Sequence, residues 1–435
     1  MSIERLRAEL GERIATQPYQ EIGERFAPLA AEDYARAVHL IEPGGRSSAG
    51  AEAVFRALSY RAAGFPWLSL YLHLPGFAAL AELGYRVVAR NRSAARWIAV
   101  WLIGDDLRPL RHDWVRFLYL RALGAVALCA ALSLAVQIEG LSGSEGIQPV
   151  AEYLGAIERG AEASDVNVWL ALPTLLWIAP GDTLQRILAA SAVALALAVL
   201  LDVAPGPALL ALWAVYLSLC NGAGIFFGYQ WDALLLETLL ASALFAPWRL
   251  APRPPWGTRA DPAPPLASVW LLRLLLAKLI LLSGLVKLAS GDPTWSSLTA
   301  LRFHFESQPL PTWSAFWMHQ LPAPLLALAC ASVLALELGL PWLMLAPRRP
   351  RALACAGTLA LMLAIGSTGN YGFFDPLTAV LALTLLDDRM LARLRPRSSG
   401  PASPAPGARR RGLALAAAAR WLLLSAAAIP RLPDG

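Results

Sequence analysis

The chain is poor in charge, in lysine and in cysteine. Only 16% of its 435 residues are Asp, Glu, Lys or Arg, against 57% apolar, and its mean hydropathy is +0.50. A soluble domain is about a quarter charged, so this balance points to a bilayer. The 37 basic residues outnumber 31 acidic ones only slightly and are scattered, which excludes a nucleic-acid footprint. No nucleic-acid partner is expected. Cys129, Cys220, Cys330 and Cys355 each stand alone in an apolar run, without a CxxC or a His at ligand spacing. They read as small apolar residues buried in packed helices, so no metal and no cofactor is expected. Lysine is reduced to Lys278 and Lys287, two positions that therefore stand out.

No secretory signal opens the sequence, because residues 1–100 carry charges throughout. The N-terminus is therefore expected on the cytoplasmic side. Helices are expected over Ser2 to Ile14, Glu21 to Phe26 and from Ala31, with an extended piece over Ala15 to Tyr19. A strand over Ala37 to Glu42 ends at the turn Pro43-Gly44-Gly45, and a helix over Ala51 to Leu58 follows Ser47-Ser48. This is a small α/β domain over residues 1–105.

Beyond Trp114 the pattern changes to apolar stretches near the roughly 20 residues a bilayer core demands. Spans are expected at 117–138, 183–203, 207–227, 230–247, 268–289, 324–346, 352–369 and 372–386, with a weaker ninth at 412–429. The stretch 166–180 is short and is expected not to span. The fold class is mainly α, a polytopic transmembrane bundle with a small N-terminal α/β domain. A basic Pro/Ser/Arg-rich linker over 389–411 precedes the final segment, 412–435.

Arginines set the orientation. They gather at 387–411, 347–351 and 248–267, which are expected to be cytoplasmic, whereas 139–165 carries six acids against Arg159 and is expected outside. Residues 290–323 then lie outside too. The Arg, Ala, Leu and Pro richness is that of a GC-rich bacterial genome, so a bacterial inner membrane is the expected location, with membrane lipids as partners.

Chemistry is sought where polar residues persist at membrane depth, because a charge at a span's centre costs roughly 2.5 to 3.5 kcal/mol on insertion scales. Asp232 and Glu237 open an otherwise apolar helix in Gln230-Trp231-Asp232-Ala233-Leu234-Leu235-Leu236-Glu237. Asp232 complements a helix N-terminus as readily as it serves a site. Arg273, Lys278 and Lys287 share one span. Arg273 and Lys287, near its ends, are expected to snorkel to the headgroups, while the central Lys278 needs a carboxylate, for which Glu237 and Glu337 are candidates. A third stretch, Gly291 to Pro309, holds Asp292, Arg302, His304, Glu306 and Gln308. As an extended segment it presents Arg302, His304 and Glu306 together. Without a nucleophile or metal pattern, an interfacial loop is the plainer reading.

Several of these residues carry a resemblance. Gln230–Glu237, Gly284-Leu285-Val286-Lys287, Gly291-Asp292-Pro293-Thr294-Trp295, His304, Glu306-Ser307-Gln308-Pro309-Leu310-Pro311 and Gly369-Asn370-Tyr371-Gly372-Phe373-Phe374 together resemble the lipase maturation factor family. Leu141 to Pro149 resembles its first external segment, and the match covers about 115–388. The resemblance implies an integral membrane protein, in eukaryotes of the endoplasmic reticulum, that helps secreted lipases reach their active state. A secreted lipase or other exported client is then the implied partner. Asn370 joins the candidate site on this basis. Members continue into a non-cytoplasmic C-terminal domain, whereas this sequence stops at Gly435.

Residues 16–92 resemble the DCC family of thiol-disulfide oxidoreductases with a thioredoxin-like fold. The carriers are Thr16-Gln17-Pro18-Tyr19, Val38-His39-Leu40-Ile41-Glu42-Pro43, Ala51-Glu52-Ala53-Val54-Phe55 and Tyr85-Arg86-Val87-Val88-Ala89-Arg90-Asn91-Arg92. The family's Asp-Cys-x-x-Cys motif has no counterpart, since no cysteine precedes Cys129. The domain is therefore expected to be a redox-dead remnant or one whose start lies upstream, for a thiolate is the nucleophile of such exchange. Two functions follow: a non-enzymatic membrane factor for secreted proteins, or a membrane enzyme using Lys278, His304 and Glu306 in acid–base work, or thiol exchange were the motif restored.

Overall fold

A computed structural model describes residues 14–17, 33–34, 37–60, 66–104, 110–257, 260–392 and 406–428. The helices expected over 2–14 and 21–26, and most of the linker 389–411, lie outside the described residues. The chain divides into two compact units, residues 1–110 with 347–349, and residues 111–346 with 350–435.

In the first unit β1 (His39–Ile41) pairs antiparallel with β2 (Ser47–Ala49), Leu40 opposite Ser48. The turn lies at Pro43-Gly44-Gly45 as the sequence suggests, and Gly45 takes a positive φ of 79° that glycine alone adopts without strain. β1 is shorter than the expected Ala37 to Glu42, and β2 was unforeseen because Ser-Ser-Ala lacks apolar alternation. Next come α1 (Gly50–Ser59), α2 (Pro66–His73), α3 (Phe77–Arg90) and α4 (Arg92–Ile103). The α1 helix buries Ala51, Ala53, Ala57 and Leu58 on one face.

The second unit is helical throughout. Its first helix, α5 (Asp113–Ser142), spans 30 residues, about 45 Å, and outreaches a bilayer core of about 30 Å. A surface helix, α6 (Val150–Ala163), and a single turn, α7 (Val168–Ala171), lead to α8 (Asp182–Leu200). The stretch 166–180 thus does not span. α9 (Pro205–Gly222), α10 (Gln230–Phe245) and α11 (Leu266–Ala289) follow. Three short helices, α12 (Pro293–Ser296), α13 (Ala300–Ser307) and α14 (Trp313–His319), precede α15 (Ala323–Met344), α16 (Arg348–Thr368), α17 (Phe374–Ala382) and α18 (Ala408–Ala428).

Eight spans and a weaker ninth were expected; among the described residues five helices are long and apolar enough to cross a membrane: α5, α8, α11, α15 and α16. Length accounts for α10 and α17, whose 16 and 9 residues fall short of the roughly 20 that a bilayer core demands of one helix, and the expected spans at 207–227 (α9, 18 residues) and 412–429 (α18) are not among the five either. Both α10 and α17 pack against α11, which also touches α15 and α18. Small residues let helices approach in lipid. A Cβ on Gly124 of α5 would lie 2.6 Å from the backbone nitrogen of Leu200, so this glycine is required where the end of α8 meets α5.

Candidate functional site

The central lysine finds its acid. Lys278, midway along α11, donates to both carboxylate oxygens of Glu237 on α10, at 3.0 and 3.1 Å. Its ammonium also lies 4.8 Å from the ring centre of Trp421 on α18, a cation–π contact. Five residues up α10, Asp232 sits in the first turn, buried, and accepts from the Tyr216 hydroxyl of α9 at 2.6 Å. Asp232 thus stands at the helix start, with a hydroxyl partner.

Lys287 does not snorkel. Its ammonium donates to Glu337 Oε1 at 2.7 Å and Oε2 at 2.9 Å, and lies over the Trp295 ring at 5.3 Å. Gly284 makes the approach possible, since a Cβ there would meet Glu337 Cβ and Leu338 Cδ2 at 3.0 Å. Arg273 does not snorkel either. Only 2% exposed, it donates to the Thr384 carbonyl at 2.8 Å and to His112 Nε2 at 3.2 Å. A long cation near a helix end reaches lipid headgroups only when no neighbouring helix offers an acceptor, and here those acceptors lie 50 and 111 residues away in sequence.

The segment 300–307 is helical, not extended. Leu301 and Phe305, four apart, turn one face inward, where Phe305 packs with Ala315 and Leu326. Arg302, His304 and Glu306 consequently do not form one polar row. Arg302 is exposed, Glu306 lies 3.7 Å from His319 on α14, and His304 Nε2 shares a hydrogen bond of 3.1 Å with the Tyr371 hydroxyl. Burial and the nearby Lys287 charge push the His304 imidazole below its ordinary pKa, so it is neutral at pH 7. Asp292 is a cap: Oδ1 accepts from the Thr294 amide at 2.9 Å, and this backbone bond holds its carboxyl below the usual range.

Three polar side chains close this outer segment onto the C-terminal end of α16. Gln308, buried, donates through Nε2 to the Thr368 carbonyl at 2.7 Å, Thr312 Oγ1 donates to the Ser367 carbonyl at 3.2 Å, and Ser314 donates to that same carbonyl. They satisfy carbonyls that a helix end leaves orphaned. Asn370 is exposed and forms a local turn, its Oδ1 accepting from the Gly372 amide at 3.4 Å. The ten candidate residues thus divide into the Glu237–Lys278 pair with Asp232 nearby, and an outer-end group of Lys287, His304 and Gln308 with Asp292 as a cap. Arg302, Glu306 and Asn370 stay on the surface. Lys278 and Lys287 are nine residues apart on one helix, about 13.5 Å, so Lys278 does not join His304 and Glu306 in one acid–base site.

The sequence reading missed a buried polar cluster at the opposite end. The Asp388 carboxylate accepts from the amides of Asp113, Trp114 and Val115 at 2.9, 3.0 and 3.1 Å, capping α5 from 270 residues away in sequence. Arg351 donates to the Leu385 carbonyl at 2.6 Å and lies 3.5 Å from Asp387. Burial and the Arg273 guanidinium push His112 down to about 3. The adjacent Asp387-Asp388 pair closing an apolar stretch was the available signal. Of the four cysteines, three are buried as expected, but Cys129 is exposed, because α5 packs through Val126, Ala127, Ala130 and Ala131 and leaves residue 129 off that stripe.

Two family models match the chain. Residues 114–393 match the lipase maturation factor transmembrane domain, and residues 7–97 match a DCC1-like thiol-disulfide oxidoreductase. Lipase maturation factor 2 of Homo sapiens is 41% identical over 290 residues, covering 64% of this chain and 40% of the relative. The Rattus norvegicus protein of that name is 42% identical over 286 residues, 63% and 40%. Lipase maturation factor 1 of Bos taurus is 31% identical over 315 residues, 68% and 54%. The chain spans about two fifths of the length of the first two relatives. No solved structure matches it. With residues 114–393, well over half of its length, matched by the family's transmembrane domain, the chain belongs to the lipase maturation factor family.

Proposed function

We propose that this chain is the membrane-embedded part of a factor that assists the maturation of secreted lipases. The observation that carries the reading is the family match over 114–393, which coincides with the ion-paired bundle and includes both lysine–glutamate pairs. The outer segment supports it. Held to α16 by Gln308, Thr312 and Ser314, that segment exposes Phe303, Leu310, Trp313, Phe316 and Trp317. A chain still folding exposes apolar surface of its own, and rigid aromatic side chains bind such surface at small entropic cost.

The orientation belongs to this proposal: residues 290–323 face the compartment that secreted clients enter, and the arginine clusters face the cytoplasm. The arginine-rich composition supports a bacterial inner membrane. The chemistry asked of the chain is binding, with no covalent step. Co-expression with a secreted lipase in cells lacking their own factor tests this. Secreted lipase activity should rise several-fold over an empty vector at equal lipase synthesis, and unchanged activity with the chain present in the membrane would overturn it.

A further inference from the structure

Two consecutive helices of the N-terminal unit, α3 and α4, bury no side chain, although both are two-faced in sequence. On α3, Leu80, Leu83 and Val87 fall on one stripe with Val88 at its edge, and all four are exposed, Leu80 at 69%. Which face points outward is fixed from behind. The Glu82 carboxylate on the inner side accepts from the amides of Ala51 and Glu52 and from the Tyr71 hydroxyl, at 3.0, 3.2 and 3.0 Å. On α4, Trp97, Ile98 and Trp101 make one face, Trp97 68% exposed, while Arg92 and Arg96, one turn apart, lie opposite.

Charge identifies what covers these faces. Between Pro66 and Ile103 stand Arg86, Arg90, Arg92 and Arg96 against one acid, Glu82, whose Oε1 accepts three hydrogen bonds from within the unit. Arg86, Arg90 and Arg92 line one concavity with Tyr85 and Glu82, three cations against one acid, a balance that suits a phosphate. On α4 the arginines lie opposite Trp97, Ile98 and Trp101, and on α3 Arg86 and Arg90 border the apolar stripe, two arrangements that fit helices lying in a bilayer interface. The chain then runs only from Gly104 to His112 before α5 enters the membrane bundle, so the tether keeps α4 within roughly 30 Å of the bilayer.

We propose that α3 and α4 lie in the headgroup region of an anionic leaflet, with Leu80, Leu83, Val87, Trp97, Ile98 and Trp101 at the acyl boundary. Arg86, Arg90, Arg92 and Arg96 meet the lipid phosphates. The full chain, with its four cysteines replaced by alanine, is placed in nanodiscs of phosphatidylcholine and phosphatidylserine, 7:3, doped with doxyl-labelled lipid. A bimane probe is attached at Leu83→Cys, Trp97→Cys or Arg92→Cys. Val136→Cys, 84% exposed on α5, reports that the bundle is inserted.

Quenching by lipid at 83 and 97 should come within twofold of that at 136 and exceed that at 92 by at least threefold. Replacing Arg86, Arg90 and Arg96 by Gln should lower quenching at 83 at least twofold. Quenching at 97 no stronger than at 92 would overturn the proposal. So would probes at 83 and 97 that are shielded from both aqueous iodide and lipid, which would mean a protein cover. Quenching unchanged by the arginine replacements would overturn the assignment of the lipid phosphates.

Discussion

Removing the Lys278 ammonium is the sharpest perturbation of the bundle. The side chains of Lys278 and Glu237 are 28% and 41% exposed, and on the bilayer placement proposed above this mid-helix pair lies at membrane depth, where screening by water is weak. Breaking a buried pair from one side costs about 3 to 5 kcal/mol. Lys278→Met should therefore cost about 3 kcal/mol, part of it the lost contact with Trp421. At about 1 °C per kcal/mol for a chain of this size, Tm falls by about 3 °C.

The buried thiols of Cys220, Cys330 and Cys355 provide the readout, through a thiol-reactive fluorophore in a Cys129→Ala background. The double variant Lys278→Met with Glu237→Gln should recover about half the loss, a coupling above roughly 1 kcal/mol. A silent Lys278→Met, or two single losses that simply add, would refute the pairing argument.

Four further outcomes are expected. Asp388→Ala removes the distant cap of α5 and should lower stability by about 1 to 2 kcal/mol in the same thermal assay, whereas Asp388→Asn should lose less. Gln308→Leu should release the outer segment from α16, seen as faster amide hydrogen exchange over 300–312 with Tm shifted by under about 3 °C. His112, held at about 3 in the folded chain, leaves the unfolded chain binding the extra proton as pH falls below its ordinary value near 6.5. Stability should then drop by up to about 1.4 kcal/mol per pH unit below 6.5, and His112→Gln should flatten the profile of Tm between pH 6.5 and 5. The 435-residue chain should not catalyse insulin reduction, since no cysteine precedes Cys129; measurable turnover would contradict the loss of the motif.

Some of this architecture was legible in the residues. A lysine stranded mid-span demands a carboxylate, so Lys278 pointed to Glu237 or Glu337 and to α10 lying beside α11; Glu237 is its partner, and Glu337 pairs with Lys287. Short, and preceded by the acidic stretch 139–165, 166–180 was readable as a stretch that does not cross. What escaped notice depended on neighbours distant in sequence. Glu337 claims Lys287 and Thr384 claims Arg273, so two cations with the spacing of snorkelling residues are interior. Alternation over 301–306 mimicked a strand, but Leu301 and Phe305 also fit a helical face, and packing on Ala315 and Leu326 decided for the helix. Hydropathy marks apolar stretches without giving the length of the helix inside them, hence the short α10 and α17.

Photocrosslinking during lipase synthesis tests the central claim most directly. A diazirine side chain is placed at Trp317 on the outer segment, or at Leu363, 75% exposed on α16, as a lipid-facing control. The account predicts that newly made lipase is captured from position 317 and not from 363, and that capture ends once the lipase is active. Equal capture at both positions, or none at 317 while secreted lipase activity still rises, would contradict a client-binding role for the outer segment.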